Sequence, residues 1–568
     1  MSSIPTGAAL SRCWTTFRIQ DKETPLSSRF FAIVLVLFTT LSGAAASRAA
    51  EPVKVSADRI KAAVQHLSTD QMEGRSPGTN GEVLATEYLS DEFTKVGLKP
   101  IGERNSYFQP VPLVRVITSP KSTLQAVKAG TTLDIPCDEG FVGTTQTQTG
   151  LEEFDAEAVF VGHGISAPEF GWDDYQGLDV KGKIVVVFTN EPPSTDPKFF
   201  AGTALTYYGR STYKYEEAAR RGAKAVFIIH TNETAGYPYS VVRRLESAQL
   251  TREADKPVLA FAGWLARASG EKLLEQSGRT VDGALKAADT KGFTPFSLKV
   301  NLKAVIPTTI ENFVSHNVVG MVEGSDETLK SEVVVFTAHW DHLGVGRAVL
   351  GDSIYNGAAD NATGCGLLLE LARAWSAQSP KPKRSAIFLA VTAEEKGLLG
   401  SKYYTRNPIV PLSKTALNIN VDMILPLGIP ESVVVTGANR TTLWPIVEAA
   451  AAKNQLEIET DPRAHLGVFY RSDHFSMARA GVPAFSVGSG SKIVGKPKDF
   501  ASQAQKEFND KAYHSPQDAF NPNWDFAGFV VLAQFILDVA RDVANADRLP
   551  TWNAGDEFRP ARDNQGVM

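Results

Sequence analysis

The 568-residue sequence predicts an α/β fold, a mixed and mostly parallel sheet flanked by helices and interrupted by a β-rich insert. Three observations predict it. From NVVGMVEG at 317 onward, strand-like apolar runs alternate with helix-period segments, the pattern of parallel strands joined by right-handed crossovers. The run VVVF at 333–336 is continuously β-branched and aromatic, as in a strand covered on both faces. From about 115 to 305 the texture changes to short strands with few long helices.

Composition narrows the function classes. The chain is 43% hydrophobic and 21% charged, which argues against wholesale disorder, and its length predicts two domains plus processing segments. Lys and Arg number 58 against 63 Asp and Glu, without long single-sign runs, so nucleic acid is not an expected partner. At the N-terminus, Arg29 precedes the apolar run FFAIVLVLFTTL and the small-residue stretch SGAAASRAA. This reads as a signal peptide over 1–46 and export to the periplasm or the extracellular space, with a signal-anchored form as the alternative. No stable membrane span is expected after cleavage. Only Cys13, Cys137 and Cys365 occur, so no disulfide framework is expected. Cys365 reads as a buried structural thiol.

In chain order, SADRIKAAVQHL and NGEVLATEYLSDEFTKVG predict helices with Ser56 and Asn80 as N-caps and Gly97 as a stop. The turn-rich MEGRSPGTNG lies between them. VFVGHGI, KGKIVVVF and KAVFIIH are β runs of the middle block, where His163 and His230 stand isolated as structural histidines. Then follow a helix over 361–378, the strand AIFLAVTAEE, helix-like GLLGSKYYTRN, strands ALNINVDMI and ESVVVTG, helix TTLWPIVEAAAAKN, strand VPAFSVG and a last helix AGFVVLAQFILDVARDVAN. The first 100 residues are expected to pack on this later sheet, which makes its domain discontinuous.

Chemistry concentrates where strands end. His339 and Asp341 sit just past VVVF, and Asp360 stands at a loop-to-helix junction. Ligands of open α/β sheets bind beyond the carboxyl ends of the strands, and one His with carboxylates is hard-ligand chemistry suited to zinc or a related divalent ion. Glu394 and Glu395 end the next strand, Asp422 ends another, and His514 sits in KAYHSPQD. Adjacent residues on an extended backbone point in opposite directions, so a Glu-Glu pair can divide its labour between metal and water. An apolar strand running into two carboxylates is costly unless charge compensation waits there.

AHWDHLG, YNGAADNATG, TAEEKGLLGS, NVDMI, SDHFSMARAGVPA and YHSPQD together resemble the M28 family of co-catalytic zinc peptidases, which have the zinc exopeptidase fold. VFVGHGISAPEFGWDDYQGLDVKGKIVVV and YKYEEAARRGAKAVFIIH resemble a protease-associated (PA) domain. The resemblance implies a discontinuous peptidase domain over 52–114 and 306–548, a PA insert over 115–305 and a C-terminal tail over 549–568. It implies two Zn2+ per chain, with other divalent ions as alternatives. His339 and Asp422 would hold one ion, Glu395 and His514 the other, and Asp360 would bridge them. Glu394 would be the general base acting on a metal-activated water, and Asp341 the residue that orients His339. The peptide bond Asp360-Asn361 would be cis. His342, Asp473 and His474 would not be direct ligands, and Tyr470 could donate to the oxyanion. The implied activity is an aminopeptidase acting on peptide or protein substrates. The alternatives are a carboxypeptidase-type or other amide hydrolase of this fold, or a non-catalytic receptor-like scaffold.

Overall fold

The structure, a computed structural model, describes residues 54–567, so the expected signal peptide and Cys13 lie outside the described residues. Two sheets are joined by one long strand. The elements that position the site are helices α1 (Ala57–Leu67) and α2 (Asn80–Val96), strands β1 (Phe108–Thr118), β2 (Phe296–Val322) and β3 (Val333–His339), helix α3 (Thr363–Ser376), strands β4 (Ser385–Val391), β5 (Thr415–Val421), β6 (Ser432–Thr436) and β7 (Ala484–Ser489), and helix α4 (Ala527–Asn545).

Four central strands run parallel: β4 pairs with β3, β3 with β5, and β5 with β7. Antiparallel strands flank them, β2 and then β1 on one side and β6 on the other. The sheet is therefore mixed with a parallel centre, as the alternating pattern predicts. All seven residues of β3 are buried, because both faces of the sheet are covered. Val334, Phe336 and Ala338 face the core built with α1 to α4, whereas Val333 and Val335 face a second core with Tyr404, Phe475 and Trp552. Covering on both faces is what an unbroken apolar strand requires.

Ser56 caps α1 by accepting the Arg59 N–H at 3.3 Å, and Gly97 ends α2 in the left-handed region with φ 80. Both helices pack against α3.

Strand β2 passes from one sheet to the other. Its first part pairs with Leu151–Phe160 and Thr123–Lys128, and its second part pairs with β1 from Thr308↔Thr118 to Val318↔Phe108. The smaller sheet has parallel strands Ile184–Phe188, Ala225–Ile229 and Phe261–Leu265, and carries apolar clusters of its own on its two faces. Residues 549–567 are part of the packed body: Trp552 is fully buried, and Arg562 donates to the Thr415 carbonyl at 2.9 Å. Among the described residues no helix is long and apolar enough to cross a membrane.

Candidate metal centre

Register places the chemistry. Parallel pairing sets His339 beside Val391 and Thr337 beside Asn420, so β3, β4 and β5 end at one edge of the sheet. Each strand runs directly into polar groups there: His339, Glu394 and Glu395, and Asp422. Asp360 arrives at the same edge from the loop before α3, through a cis Asp360-Asn361 bond. Asn361 ties that loop to the end of β5, donating to the Val421 carbonyl at 3.1 Å and accepting the Met423 N–H at 3.1 Å. Gly357 allows the approach: its φ is +60, and a Cβ there would lie 2.5 Å from the His342 ring.

The five expected ligands form one cluster. His339 Nε2 lies 3.1 Å from Asp422 Oδ1 and 3.2 Å from Asp360 Oδ1. His514 Nε2 lies 3.4 Å from Asp360 Oδ2 and 3.1 Å from Glu395 Oε2. The two oxygens of Asp360 are thus divided between the two imidazoles. Ser472 Oγ donates to the other oxygen of Asp422 at 2.5 Å.

The residue set fits a cation on chemical grounds. His339 Nδ1 lies 3.1 Å from the Asp341 carbonyl, an acceptor only, so the ring proton belongs on Nδ1. Nε2 then presents its lone pair to two carboxylates, acceptor against acceptor, which is unfavourable unless a proton or a metal ion stands between them. The protonation balance shows the same pressure. Burial alone would push His339 down, but Asp422, Glu394 and Asp360 hold it well above the ordinary histidine range. His514 is likewise raised against burial to about 10 by Glu395 and Asp360. Two groups have atoms close enough to hold a metal ion, His339/Asp360/Asp422 and His342/Asp360/Glu395, the second containing His342, which was not expected as a ligand, and not His514.

Asp341 acts differently from the expected carboxylate-to-imidazole contact. Its Oδ1 is 3.9 Å from His339 Nδ1, too long for a hydrogen bond, and it is the main-chain carbonyl of Asp341 that meets the ring. The carboxylate instead accepts the Glu394 N–H at 3.0 Å and the Glu395 N–H at 3.3 Å, fixing the turn on which both glutamates sit. Burial pushes Asp341 up to about 6. Glu394 is held well above the usual carboxylate range by burial and by Asp422, Glu395 and Asp473, in opposition to His339.

Tyr470 is buried among Tyr207, Phe469 and Phe475, and its hydroxyl donates to Glu557 Oε1 at 2.7 Å. It is in the wall of a cavity of about 1300 Å³ whose lining includes none of the five clustered residues. His342 Nδ1 lies 2.8 Å from Glu395 Oε1 but outside hydrogen-bond alignment. Cys365 is buried with its sulfur 3.2 Å from the His339 carbonyl, and burial pushes its thiol up to about 11. Both described cysteines are free.

Sequence reasoning missed three neighbours. Asp518, in the quoted YHSPQD, accepts the Ala359 and Asp360 amides at 2.8 and 3.0 Å. Tyr513, immediately before the expected histidine, stacks on His514 at 3.9 Å while remaining exposed to solvent. Arg75, from the turn-rich MEGRSPGTNG, is buried beneath the site and donates to the carbonyls of Trp340 at 2.8 Å, Asn356 at 2.6 Å and Gly357 at 2.8 Å. An arginine in a glycine- and proline-rich turn carries no signal of burial.

Residues 317–535 match the profile of Peptidase family M28. Aminopeptidase YwaD of Bacillus subtilis (strain 168) is 27% identical over 292 residues, 50% of either chain. A probable leucine aminopeptidase 2 of Aspergillus oryzae is 27% identical over 340 residues, 59% of this chain and 52% of its own. The chain therefore spans about half the length of these curated relatives. Among solved structures, an aminopeptidase from Aneurinibacillus sp. strain AM-1 aligns with a TM-score of 0.49 at 18% identity, over 89% of this chain and 97% of its own. All five clustered residues fall within the segment that matches Peptidase family M28.

Proposed function

We propose that the protein is a co-catalytic di-zinc aminopeptidase, hydrolysing the N-terminal peptide bond of peptide substrates. One observation carries the reading: the carboxylate of Asp360 divides its oxygens between His339 and His514, each of which also faces one further carboxylate, Asp422 or Glu395. That is the donor arrangement for two ions sharing one bridge. His339 and Asp422 would hold one, Glu395 and His514 the other, and Asp360 both. When bound, the ions polarise the scissile carbonyl and lower the pKa of water toward neutrality.

The remaining work falls to the chain. Glu394 is fixed at the end of β4 by Asp341, and its raised proton affinity suits a group that takes a proton from the attacking water and delivers it to the leaving amine. Tyr513, whose ring stacks on His514, is the phenol this reading assigns as donor to the developing oxyanion. Tyr470 is a weaker candidate for that task, since its hydroxyl is engaged by Glu557. Residues 115–305 form the PA insert in this reading, with 52–114 and 306–548 as the peptidase domain. The separate apolar clusters of the smaller sheet support that division.

The relatives' names, aminopeptidase and probable leucine aminopeptidase, support exopeptidase action. The test is a screen of aminoacyl chromogenic substrates beside N-blocked peptides, with and without zinc. Zinc-dependent release from the aminoacyl set is expected, and cleavage of the blocked set alone rejects the aminopeptidase.

A further inference from the structure

A cavity of about 670 Å³ opens beside Glu395 and runs toward β1 and the strand Glu246–Leu250, with Arg115, Arg244, Glu246 and Lys396 in its wall. Its size suits one or two residues of a peptide. The charges in the wall do not cancel. Arg115 is neutralised by Glu311 at 2.9 Å and Glu246 at 3.3 Å. Glu395 is committed to the cluster, with Oε1 2.8 Å from His342 and Oε2 3.1 Å from His514.

Arg244 and Lys396 form no ion pair among the described residues, and neither side chain donates a hydrogen bond there. Glu73 is the single acid of the wall left without a cationic partner, so two free cations stand against one free anion. Lys396 follows the paired glutamates directly, and its charge reaches the buried carboxylate of Asp341. Arg244 approaches from the β-rich block. A guanidinium fork and an ammonium in the wall of one peptide-sized cavity supply the donors that a carboxylate ligand requires.

We propose that this cavity binds an anionic group of the substrate, a carboxylate at the far end of a short peptide or on an acidic side chain, with Arg244 and Lys396 as its partners. The proposal rests on the peptidase reading for what the ligand is. In that case the β-rich block helps select the substrate, and the enzyme favours short or acidic peptides over long neutral ones.

The test measures binding by calorimetry to the full-length Glu394→Gln protein with zinc, so that turnover does not interfere. Three peptides sharing the N-terminal residue preferred in the chromogenic screen are compared: Xaa-Ala, its amide Xaa-Ala-NH2, and Xaa-Glu-NH2. Either or both carboxylate peptides are expected to bind about tenfold or more tightly than Xaa-Ala-NH2, the scale of one charge-assisted contact. Which of them gains identifies the C-terminal or the side-chain carboxylate as the source. The preference should collapse toward one in the same protein carrying Arg244→Gln and return in part with Arg244→Lys.

Equal binding of all three peptides, or a preference that survives Arg244→Gln, overturns the proposal. Turnover by the parent protein reports separately on the peptidase. Cleavage without any carboxylate preference rejects the cavity and keeps the enzyme, whereas preferential binding without cleavage does the reverse.

Discussion

Asp518 holds Asp360 through the main chain, its carboxylate accepting the Ala359 N–H at 2.8 Å and the Asp360 N–H at 3.0 Å. The carboxylate proposed as the bridge is thus positioned by a second acid acting through the main chain. Asp518→Ala leaves two buried amides unpaired, at about 1–3 kcal/mol each. Lost outer positioning typically lowers metal affinity by about 10–100-fold. Zinc titration and a urea midpoint check both effects. Unchanged zinc affinity in a folded Asp518→Ala protein would show that the contact does not position the site.

Glu394→Gln is expected to keep fold and metal content while turnover falls by about 10²–10⁴, the usual share of a general base. Metal analysis beside kcat separates this from a folding defect. Near wild-type turnover assigns the base elsewhere.

Arg75 satisfies carbonyls from Trp340, which precedes His342, and from the adjacent Asn356 and Gly357, which precede Asp360. Arg75→Met should destabilise the chain by about 1–3 kcal/mol for each carbonyl left unpaired. Arg75→Lys should recover little, because an ammonium cannot reproduce the planar fork. Denaturant midpoints of the three proteins decide the point.

Lys402 lies half-buried on the helix Leu399–Arg406. Burial lowers its folded-state pKa to about 8, with Arg479, Arg406 and Arg210 adding to the shift and Glu216 opposing it. The ordinary lysine value near 10.5 applies to the unfolded chain, so the unfolded state binds more protons between these limits. Stability relative to Lys402→Met should therefore rise as pH increases from about 8 to about 10.5. A pH-independent difference between the two proteins would contradict the burial of this ammonium.

The parallel centre of the sheet and the clustering of polar strand ends were legible because each apolar run stops at a His, Asp or Glu. Other features depend on partners far away in the chain. NVVGMVEG reads as a short strand, yet it is the end of the 27-residue β2. Pro307 and the polar TTIEN interrupt its apolar pattern where it crosses between sheets. Nothing local distinguishes Asp518 from a loop acid, because its function is set by amides about 160 residues earlier. Tyr470 precedes a cluster motif, but its hydroxyl is claimed by Glu557, 87 residues later. The helix Phe500–Lys511 escaped the pattern, having only two buried residues, Ala501 and Phe508.

Metal stoichiometry tests the central claim most directly. After equilibration with zinc and removal of free ion, mass spectrometric metal analysis of the full chain should find two ions per protein. His339→Ala and His514→Ala should each retain one, and Asp360→Ala should lose both or bind them weakly. A single ion in the parent protein, or two ions retained in Asp360→Ala, would contradict the shared Asp360 bridge.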